Sequence, residues 1–281
     1  MSLGDKKDKN TEVIFDIYSL GVSTNRDAWV YNYSKKALYS NTRRMINFYN
    51  SQVTEYKALY ENISKNNRPE IEKFIDTDPQ KISWTSYLKN YLERCLQTEY
   101  NPQSLSKSLY RPFSKQWLYF NNDLNDRRGQ MPVIFPDSTV NNRVICVTGR
   151  GATKEFCAFI TDSLPDYETI SKSQCFPLKL YEPTQADENQ HPSGVKPQAD
   201  LFSDEAHVGW VSASVTQQNA TNIDTETLGY ASANPAYQIK DGITDAGLAH
   251  FQAAYPFETI NKEDLFYYIY GLLHSEGYLT R

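Results

Sequence analysis

The most regular pattern of apolar and polar positions lies in residues 34–63. Apolar or partly apolar side chains recur there every three or four residues, which places them on one face of an α-helix. They are Leu38, Thr42, Met45, Tyr49, Val53, Tyr56, Tyr60 and Ile63. Ser34 can cap the start of this helix, and the polar residues 64–69 end it. The pattern predicts a long helix that packs along another helix.

Helical spacing returns at three later places. A second helix is predicted over residues 83–97, after a turn at Asp78-Pro79. Its buried face is predicted to hold Trp84, Leu88, Tyr91 or Leu92, and Cys95. Further helices are predicted over residues 244–255 and 262–273, and Asn261 can cap the last of them. The chain therefore has an expected N-terminal pair of helices and a C-terminal group.

Short apolar runs follow one another between these helical regions, spaced by about ten residues. Strands are predicted at residues 117–120, 133–135, 143–147, 156–160 and 176–181, and near the N-terminus at 13–18 and 29–33. The links between the main strands are rich in turn-forming residues and contain no helix, which favours an antiparallel or mixed sheet over βαβ units. The expected fold class is α+β, with a β-sheet core between the N-terminal long-helix pair and the C-terminal helices.

These patterns divide the chain into segments. Residues 1–11 are expected to be a leader or tag, and residues 12–281 to form a domain. Its predicted parts are a helical part at 34–100, a β-rich basic part at 107–181, an irregular insertion at 182–240 and C-terminal helices at 241–281. The insertion is rich in Gln, Asn, Ser, Thr, Ala and Pro, and holds one short strand candidate at 208–215.

Charge is unevenly distributed along the chain. The whole sequence has 29 Lys and Arg against 34 Asp and Glu, a net charge of −5. Residues 1–180 hold 25 basic and 20 acidic residues, whereas residues 181–281 hold 4 and 14. The basic block is 107–154, with eight Lys or Arg against three acids. Because DNA responds to the local field of a patch, this block is the predicted DNA-binding region.

Composition also narrows the class of protein. With 40% hydrophobic residues, the chain can build a packed core. No run approaches the roughly 18 apolar residues of a membrane helix, and the N-terminus lacks the apolar segment of a signal peptide. The cysteines Cys95, Cys146, Cys157 and Cys175 make no metal-binding pattern. Reduced, mostly buried thiols in a cytoplasmic protein are expected.

Motifs with catalytic associations are incomplete. Gly149-Arg150-Gly151 follows an apolar strand, but the third glycine and the following helix of a nucleotide loop are missing, which favours a hairpin turn. Asn234-Pro-Ala-Tyr237 lacks the second proline of the NPPY motif of adenine N6-methyltransferases. The four histidines do not cluster, so no Ser-His-Asp set is predicted. No cofactor or metal is expected in this chain.

Polar loops beside the predicted strands carry side chains suited to reading base edges. Arg pairs with guanine, and Asn or Gln pairs with adenine, through two hydrogen bonds. The predicted DNA-binding residues are Asn25, Arg26, Arg127, Arg128, Gln130, Arg143, Arg150 and Lys154. One alternative makes residues 21–29 a structural turn in which Asp27 pairs with Arg26. Another makes residues 127–130 a solvated hairpin tip.

The motif LYRPFSKQWLYF at residues 109–120 combines five aromatic residues with Arg111 and Lys115. Its aromatic side chains are predicted to lie mainly in the core, namely Tyr110, Phe113, Trp117 and Tyr119. A platform on which bases stack is the weaker alternative.

Five sequence strings together resemble a known family. They are GVSTNRDAW at 21–29, LYRPFSKQWLYF at 109–120, CFPLKLY at 175–181, DGITD at 241–245 and KEDLFYYIYGLLHS at 262–275. In this order they resemble the C-terminal target recognition region of type ISP restriction-modification enzymes, with a looser likeness to type IIG enzymes. The resemblance runs from about residue 12 to the C-terminus, omitting the insertion.

The resemblance implies a division of labour within a larger polypeptide. Type ISP enzymes join a nuclease, a helicase-like ATPase, an adenine N6-methyltransferase and a specificity domain. This chain would be the non-catalytic part that reads double-stranded DNA and positions it for the methyltransferase, because the catalytic motifs are missing here. S-adenosylmethionine, ATP and Mg²⁺ would belong to the parent enzyme, whose methyltransferase and helicase domains would be partners. The chain is also expected to stop short of the family's usual C-terminal end.

Other function classes stay open at this point. A protein-interaction or scaffolding module would dock through the long helix and the acidic C-terminal third. Its affinity for duplex DNA would have a salt dependence near zero. An isolated methyltransferase would have to bind S-adenosylmethionine.

Overall fold

The computed structural model describes residues 12–183 and 237–279. The chain divides into two units, and the described residues of the first unit are 12–180 and 240–279. The predicted leader at 1–11, the strand candidate at 208–215 and residues 184–236 of the predicted insertion lie outside the described residues. The functional residues considered below belong to the first unit.

Helices and strands are interspersed along the described residues. In chain order they are β1 (Ser19–Leu20), α1 (Asp27–Val30), β2 (Tyr31–Asn32), α2 (Lys35–Tyr60), α3 (Ser86–Glu93), β3 (Leu105–Arg111), β4 (Ser114–Tyr119), α4 (Met131–Ile134), β5 (Val144–Val147), β6 (Ala158–Thr161), β7 (Leu164–Pro165), β8 (Gln174–Pro177), β9 (Lys179–Pro183), β10 (Tyr237–Asp241), α5 (Asp245–Ala254), α6 (Lys262–Leu273) and α7 (Glu276–Leu279). The mixture of helices with antiparallel and mixed sheets confirms the α+β class.

Helix α2 forms because its apolar stripe matches the helical period. The Ser34 side chain accepts a hydrogen bond from Ala37 N at 3.3 Å, as expected for an N-cap. The predicted stripe is buried from Leu38 to Tyr56, whereas Ile63 lies beyond the helix and is exposed. Helix α3 presents Leu88 and Leu92 to the same core. Full burial of each large apolar side chain stabilises the fold by about 1.5–3 kcal/mol.

One antiparallel sheet has the strand order β1-β8-β5-β6. In it Cys146 lies opposite Cys175, and their sulfur atoms are 3.7 Å apart as free thiols. Cys146 and Cys175 are buried, but Cys157 is exposed and Cys95 is half-buried. Of the four cysteines, Cys146 and Cys175 are therefore buried as predicted, and the other two are not.

A second sheet has the order β2-β4-β3-β7 and mixes two strand orientations. β3 and β4 form a hairpin in which Arg111 lies opposite Ser114, so Pro112 and Phe113 make its tip. β7 pairs with β3 in parallel. The strands β9 and β10 pair separately.

The C-terminal helices pack against a smaller apolar cluster. Thr244 caps α5 by accepting from Gly247 N at 3.0 Å, and Asn261 caps α6 by accepting from Asp264 N at 2.9 Å. Both helices therefore begin where the sequence predicts. The cluster comprises Ile14, Ile145, Leu178, Ile243, Leu265 and Phe266. None of the described helices has the length and apolarity to cross a membrane.

Several strand predictions were wrong. Residues 133–135 belong mainly to the short helix α4, because Pro132 can occupy the first turn of a helix but cannot donate to a sheet. Residues 13–18 make only an isolated bridge between Phe15 and Ile243. β3 was not predicted, the predicted strand at 29–33 is shortened to β2 by α1, and residues 176–181 are divided between β8 and β9.

Candidate nucleic-acid interface

Two loops leave the sheet β1-β8-β5-β6 in the same direction. β1 and β5 run parallel because each is antiparallel to the strand between them, β8. The register places Leu20 opposite Gln174, and Gln174 opposite Val147. The chain therefore enters residues 21–27 and residues 148–157 at the same end of the sheet.

Residues 171–173 join these two loops. Gly21 N donates to Ser173 O at 3.0 Å, and Gly149 N donates to Ser171 O at 3.1 Å. Neighbouring strands lie about 4.8 Å apart, so two strand spacings put the loop origins roughly 10 Å apart. Residues 21–27 and 148–157 are thus neighbours, although more than a hundred residues separate them in the sequence.

A third segment, residues 127–130, runs antiparallel beside the edge strand β1. Ser23 N donates to Arg127 O at 2.9 Å, and Arg127 N donates to Ser23 O at 3.0 Å. Gln130 N donates to Ser19 Oγ at 2.9 Å. We call residues 21–27, 127–130 and 148–157 together the loop surface. It gathers seven of the eight predicted DNA-binding residues.

The loop 148–157 presents exposed cations on a closely fitted backbone. Arg150 and Lys154 are exposed. A Cβ atom on Gly149 would lie 1.9 Å from Lys172 O, so only glycine permits this approach. Gly151 has a φ of +74°, and its carbonyl accepts from Lys172 Nζ at 2.8 Å. The β5–β6 hairpin confirms that the GxG sequence is a turn rather than the start of a phosphate-binding helix.

Arg26 belongs to the first of these loops, but its side chain lies inside the protein. Its residue is 2% exposed, and its Nη2 donates to Asp126 Oδ1 at 3.0 Å and to Thr85 Oγ1 at 2.7 Å. Burial lowers the pKa of the guanidinium, while Asp126 opposes that shift. This placement contradicts the prediction that Arg26 contacts DNA. The ion-pair alternative holds, but the partner is Asp126 rather than Asp27. We call Asn25, Arg26, Thr85 and Asp126 the Asp126 cluster.

Asn25 joins the same cluster from the surface. Its Nδ2 donates to Asp126 Oδ2 at 2.9 Å, and its Oδ1 accepts from Ser23 Oγ at 3.3 Å. The residue has a φ of +52°, which asparagine tolerates better than most side chains. A paired contact with adenine would have to replace both of these hydrogen bonds.

The segment 127–130 divides its side chains between surface and interior. Arg127 is exposed, and no side-chain partner is found for it among the described residues. Arg128 folds back, donating to Asn122 Oδ1 at 2.7 Å, and burial lowers the pKa of its guanidinium. Gln130 is half-buried and leads into α4. The segment is therefore not a hairpin tip.

Arg143 lies apart from the other predicted residues. It precedes β5, whereas Arg150 follows β5, so the strand separates them. Arg143 Nη1 donates to Asn141 Oδ1 at 3.2 Å and to Asn142 O at 3.3 Å. It lines an open groove of about 770 Å³ together with Phe113, Lys115 and Phe159, among others. Arg143 is the predicted residue that the loop surface does not include.

The loop 21–27 is also tied to the β3–β4 hairpin. Tyr110 OH donates to Asp27 Oδ2 at 3.0 Å, and Arg111 Nη1 donates to Asp166 Oδ1 at 2.7 Å. Tyr31 OH donates to Asp166 Oδ2 at 3.1 Å. Burial raises the pKa of Asp166 to about 6, because desolvation outweighs the opposing effects of the hydrogen bond from Glu168 N and of the charge on Arg111.

Sequence reasoning missed Asp126 and Lys172. Asp126 was counted only as one of the three acidic residues in the basic block. An acidic residue next to Arg127 and Arg128 in the sequence is a signal that an arginine of this region forms an ion pair with it. Lys172 lies in a segment without a recognisable pattern, and its contact with Gly151 joins residues far apart in the sequence. Within residues 12–183 and 237–279, no group of three or more His, Cys, Asp or Glu is placed to hold a metal ion.

Comparison with protein families gives one match over nearly the whole chain. The sequence profile of the Type ISP C-terminal specificity domain matches residues 13–281. No curated protein sequence matches the chain.

Comparison with solved structures finds complexes with DNA. A cryoEM structure of a DrdV–DNA complex is similar with a TM-score of 0.68 and 26% identity, covering 99% of this chain and 22% of that one. A nuclease-deletion mutant of the Type ISP restriction-modification enzyme LlaGI with a DNA substrate mimic has a TM-score of 0.67 and 25% identity, covering 98% and 19%. The ATP-dependent Type ISP restriction-modification enzyme LlaBIII bound to DNA has a TM-score of 0.64 and 25% identity, covering 99% and 14%. The chain thus spans less than a quarter of each of these three proteins.

Proposed function

The chain belongs to the Type ISP C-terminal specificity domain family, and from that premise we propose that residues 12–281 read the DNA target of a restriction-modification enzyme. The observation that carries the proposal is the loop surface. Hydrogen bonds hold three polar segments at one end of a sheet, and exposed Arg127, Arg150 and Lys154 project from them. A positively charged, rigidly held set of loops suits contact with phosphates and base edges.

The side chains divide into different roles in this proposal. Arg127 and Gln130 are the candidates for base edges, since arginine suits guanine and glutamine suits adenine. Arg150 and Lys154 are candidates for phosphates. Glu155 is exposed in the same loop and reduces its net positive charge. Arg26 makes no DNA contact in this scheme but holds Asp126, which positions Asn25 and the backbone of Arg127.

The rest of the enzyme would supply the chemistry. The similar solved chains are at least four times as long as the part that this chain matches. We propose that the parent polypeptide carries an adenine N6-methyltransferase and a coupled helicase and nuclease, which use S-adenosylmethionine, ATP and Mg²⁺. The specificity domain would place duplex DNA so that the methyltransferase can turn one adenine out of the stack.

The direct experiment exchanges residues 12–281 between two parent enzymes with different targets. We expect the methylated sequence to follow the exchanged segment. If methylation instead followed the methyltransferase, target selection would lie outside this chain. Methylation of any sequence by the chimaera shows that it folds and keeps its chemistry.

A protein contact by the C-terminal helices is a second candidate function. Helices α5 and α6 bury Gly247, Leu265 and Phe266 but leave other large side chains in water. These are Tyr255, Tyr267, Tyr268 and Leu272, with Phe257 between the helices. A face of this kind suits the methyltransferase or helicase domain as a partner. Replacing Tyr267 and Tyr268 by serine should then weaken association with those domains without changing the DNA preference.

A further inference from the structure

The tip of the β3–β4 hairpin carries an aromatic ring in water. Phe113 was predicted to pack in the core, but it is 89% exposed. Its ring has one aromatic neighbour among the described residues, Phe159, at 5.5 Å between centroids and 80° between planes. Tyr110, Trp117 and Tyr119 are buried or half-buried as predicted, and Phe120, the fifth aromatic residue of the motif, is buried as well. Phe113 is therefore the exception within its motif.

The backbone at Phe113 is unfavourable for this side chain. Its φ is +62°, in the left-handed region where glycine has no steric penalty. Pro112 before it completes the two-residue tip between Arg111 and Ser114. Proline followed by a positive φ is the combination of a type II turn, which favours glycine at the second position. Steric preference therefore does not account for a phenylalanine at this position.

Contacts on both sides of the tip hold it in place. Arg111 Nη1 lies 2.7 Å from Asp166 Oδ1. Lys115 Nζ lies 2.5 Å from Asp162 Oδ1, and Tyr33 OH lies 3.0 Å from Ser114 Oγ. Asp162 and Asp166 are thus each paired with a cation beside the ring. The ring projects from a fixed frame rather than from a free loop.

The hairpin tip points the same way as the loop surface. β7 pairs in parallel with β3, and Val22 pairs in parallel with Asp166, which follows β7. Strand β3 therefore runs towards the tip in the same direction as the chain runs at Val22, where it enters residues 21–27. Arg111 Nη2 also lies 3.9 Å from Asp27 Oδ2, so the two are adjacent.

We propose that Phe113 inserts its ring between neighbouring bases of the DNA that the loop surface contacts. The inference rests on the proposed function and adds a shape-reading element to it. An apolar wedge on a narrow tip can partly unstack a base step and bend the duplex, and flexible pyrimidine–purine steps yield most easily. Arg111 and Lys115 are paired with Asp166 and Asp162, so the group that this tip offers to DNA is the apolar ring, which suits bases.

The shape of the tip favours DNA over a protein partner. A docking face buries several neighbouring side chains together, whereas here one ring projects from a two-residue turn into an open groove that Arg143 and Lys115 also line. A protein contact at Phe113 is the alternative outcome of the experiment.

The experiment uses the 281-residue chain and the duplex that it selects from a random-sequence library. 2-Aminopurine replaces one base at a time, and its fluorescence reports unstacking. We expect wild type to raise the fluorescence at one base step. Phe113→Ala and Phe113→Gly should both abolish that rise and weaken binding by about 10-fold, the scale of one base–aromatic stack. Phe113→Trp should retain the rise.

Two controls separate the ring from the fold. Phe113→Gly removes backbone strain as well as the ring, so its thermal stability should equal or exceed that of wild type while binding falls. Phe257→Ala removes a ring that is 98% exposed in the link between α5 and α6. The chain leaves the other end of α6 towards Tyr278, whose ring contacts Phe156 of the loop surface. Phe257 therefore lies about one helix length from the loop surface. Phe257→Ala should leave the fluorescence rise and the affinity of the 281-residue chain for the duplex unchanged.

The failures can be told apart. If the chain bound no duplex, the proposed function would fall and this inference with it. If binding and sequence preference were normal but Phe113→Ala kept the fluorescence rise, only the inference would fall. If Phe113→Ala instead changed self-association of the DNA-free chain while DNA signals stayed constant, the ring would belong to a protein contact.

Discussion

The Asp126 cluster and the loop 148–157 lie at the same end of one sheet but use their cations in opposite ways. Arg26 is buried and paired with Asp126, whereas Arg150 and Lys154 are exposed. The buried arginine fixes where neighbouring backbone and side chains lie. The exposed cations are available to a ligand. A basic block in a sequence can therefore contain both structural and binding residues.

The largest expected effect separates these two roles directly. Replacing Arg26 by alanine should destabilise the fold by about 3–5 kcal/mol, because it empties the buried site of the guanidinium and leaves the half-buried Asp126 without its charge partner. Arg150→Ala should change the free energy of unfolding by no more than about 0.5 kcal/mol. Urea unfolding of both variants measures the difference. Equal losses would contradict the assignment of Arg26 as internal.

Adding Asp126→Ala sharpens the same comparison. If Arg26 and Asp126 act as a pair, the double variant should cost less than the sum of the two single variants. Additive losses would mean that the two side chains do not depend on each other.

A second expectation concerns Gly149 and Gly151, which let the loop 148–157 pack closely against Lys172. Gly149→Ala should destabilise by about 2–3 kcal/mol, because its Cβ would meet Lys172 O at 1.9 Å. Gly151→Ala should cost about 1 kcal/mol, because it has a positive φ but more space, with Lys172 Nζ at 3.7 Å. Thermal unfolding compares them. A Gly149→Ala variant as stable as wild type would show that this close approach is not required.

The exposed cations should affect DNA binding without affecting the fold. Arg150→Ala/Lys154→Ala should weaken duplex binding and reduce the slope of log affinity against log salt by about 2, one for each lost phosphate contact. Its unfolding free energy should match that of wild type. Titrations at several salt concentrations give the slope, and an unchanged slope would remove both residues from the DNA contact.

The smallest expected effect is a pH dependence at Asp166. Its pKa of about 6 in the folded chain is above the ordinary value, so the folded state binds more protons than the unfolded state between roughly pH 4 and 6. This contribution to stability is fully present below the unfolded pKa and is lost as pH rises through 6. Wild type should lose about 1 kcal/mol between pH 5 and 7 relative to Asp166→Asn. Parallel pH profiles of the two proteins would contradict the raised pKa.

Much of the fold follows from periodicity in the sequence. Helix α2 and its Ser34 cap, and helix α6 and its Asn261 cap, depend on residues close to one another in the chain. β5 and β6 are also confirmed. The strand β3 was missed because its sequence, LSKSLYR, is mixed in polarity and is fixed by pairing on both sides.

The candidate site was less accessible to sequence reasoning. Arg26 and Arg127 both lie in polar loops. What distinguishes the buried Arg26 from the exposed Arg127 is the contact of Arg26 with Asp126, which is one hundred residues away in the sequence. Phe113 resembles a core aromatic in composition, but its place at a two-residue tip exposes it. Long-range contacts of this kind are not encoded in local patterns.

Target discrimination by Arg127→Ala tests the central claim most directly. The claim is that the loop surface, rather than the opposite end of the sheet, distinguishes DNA sequences. We expect Arg127→Ala to reduce the affinity ratio between the preferred duplex and a one-base variant by about 10-fold, with an unchanged free energy of unfolding. Arg143→Ala, at the other end of β5, should keep the wild-type ratio. The opposite result, loss of discrimination in Arg143→Ala and none in Arg127→Ala, would contradict the account.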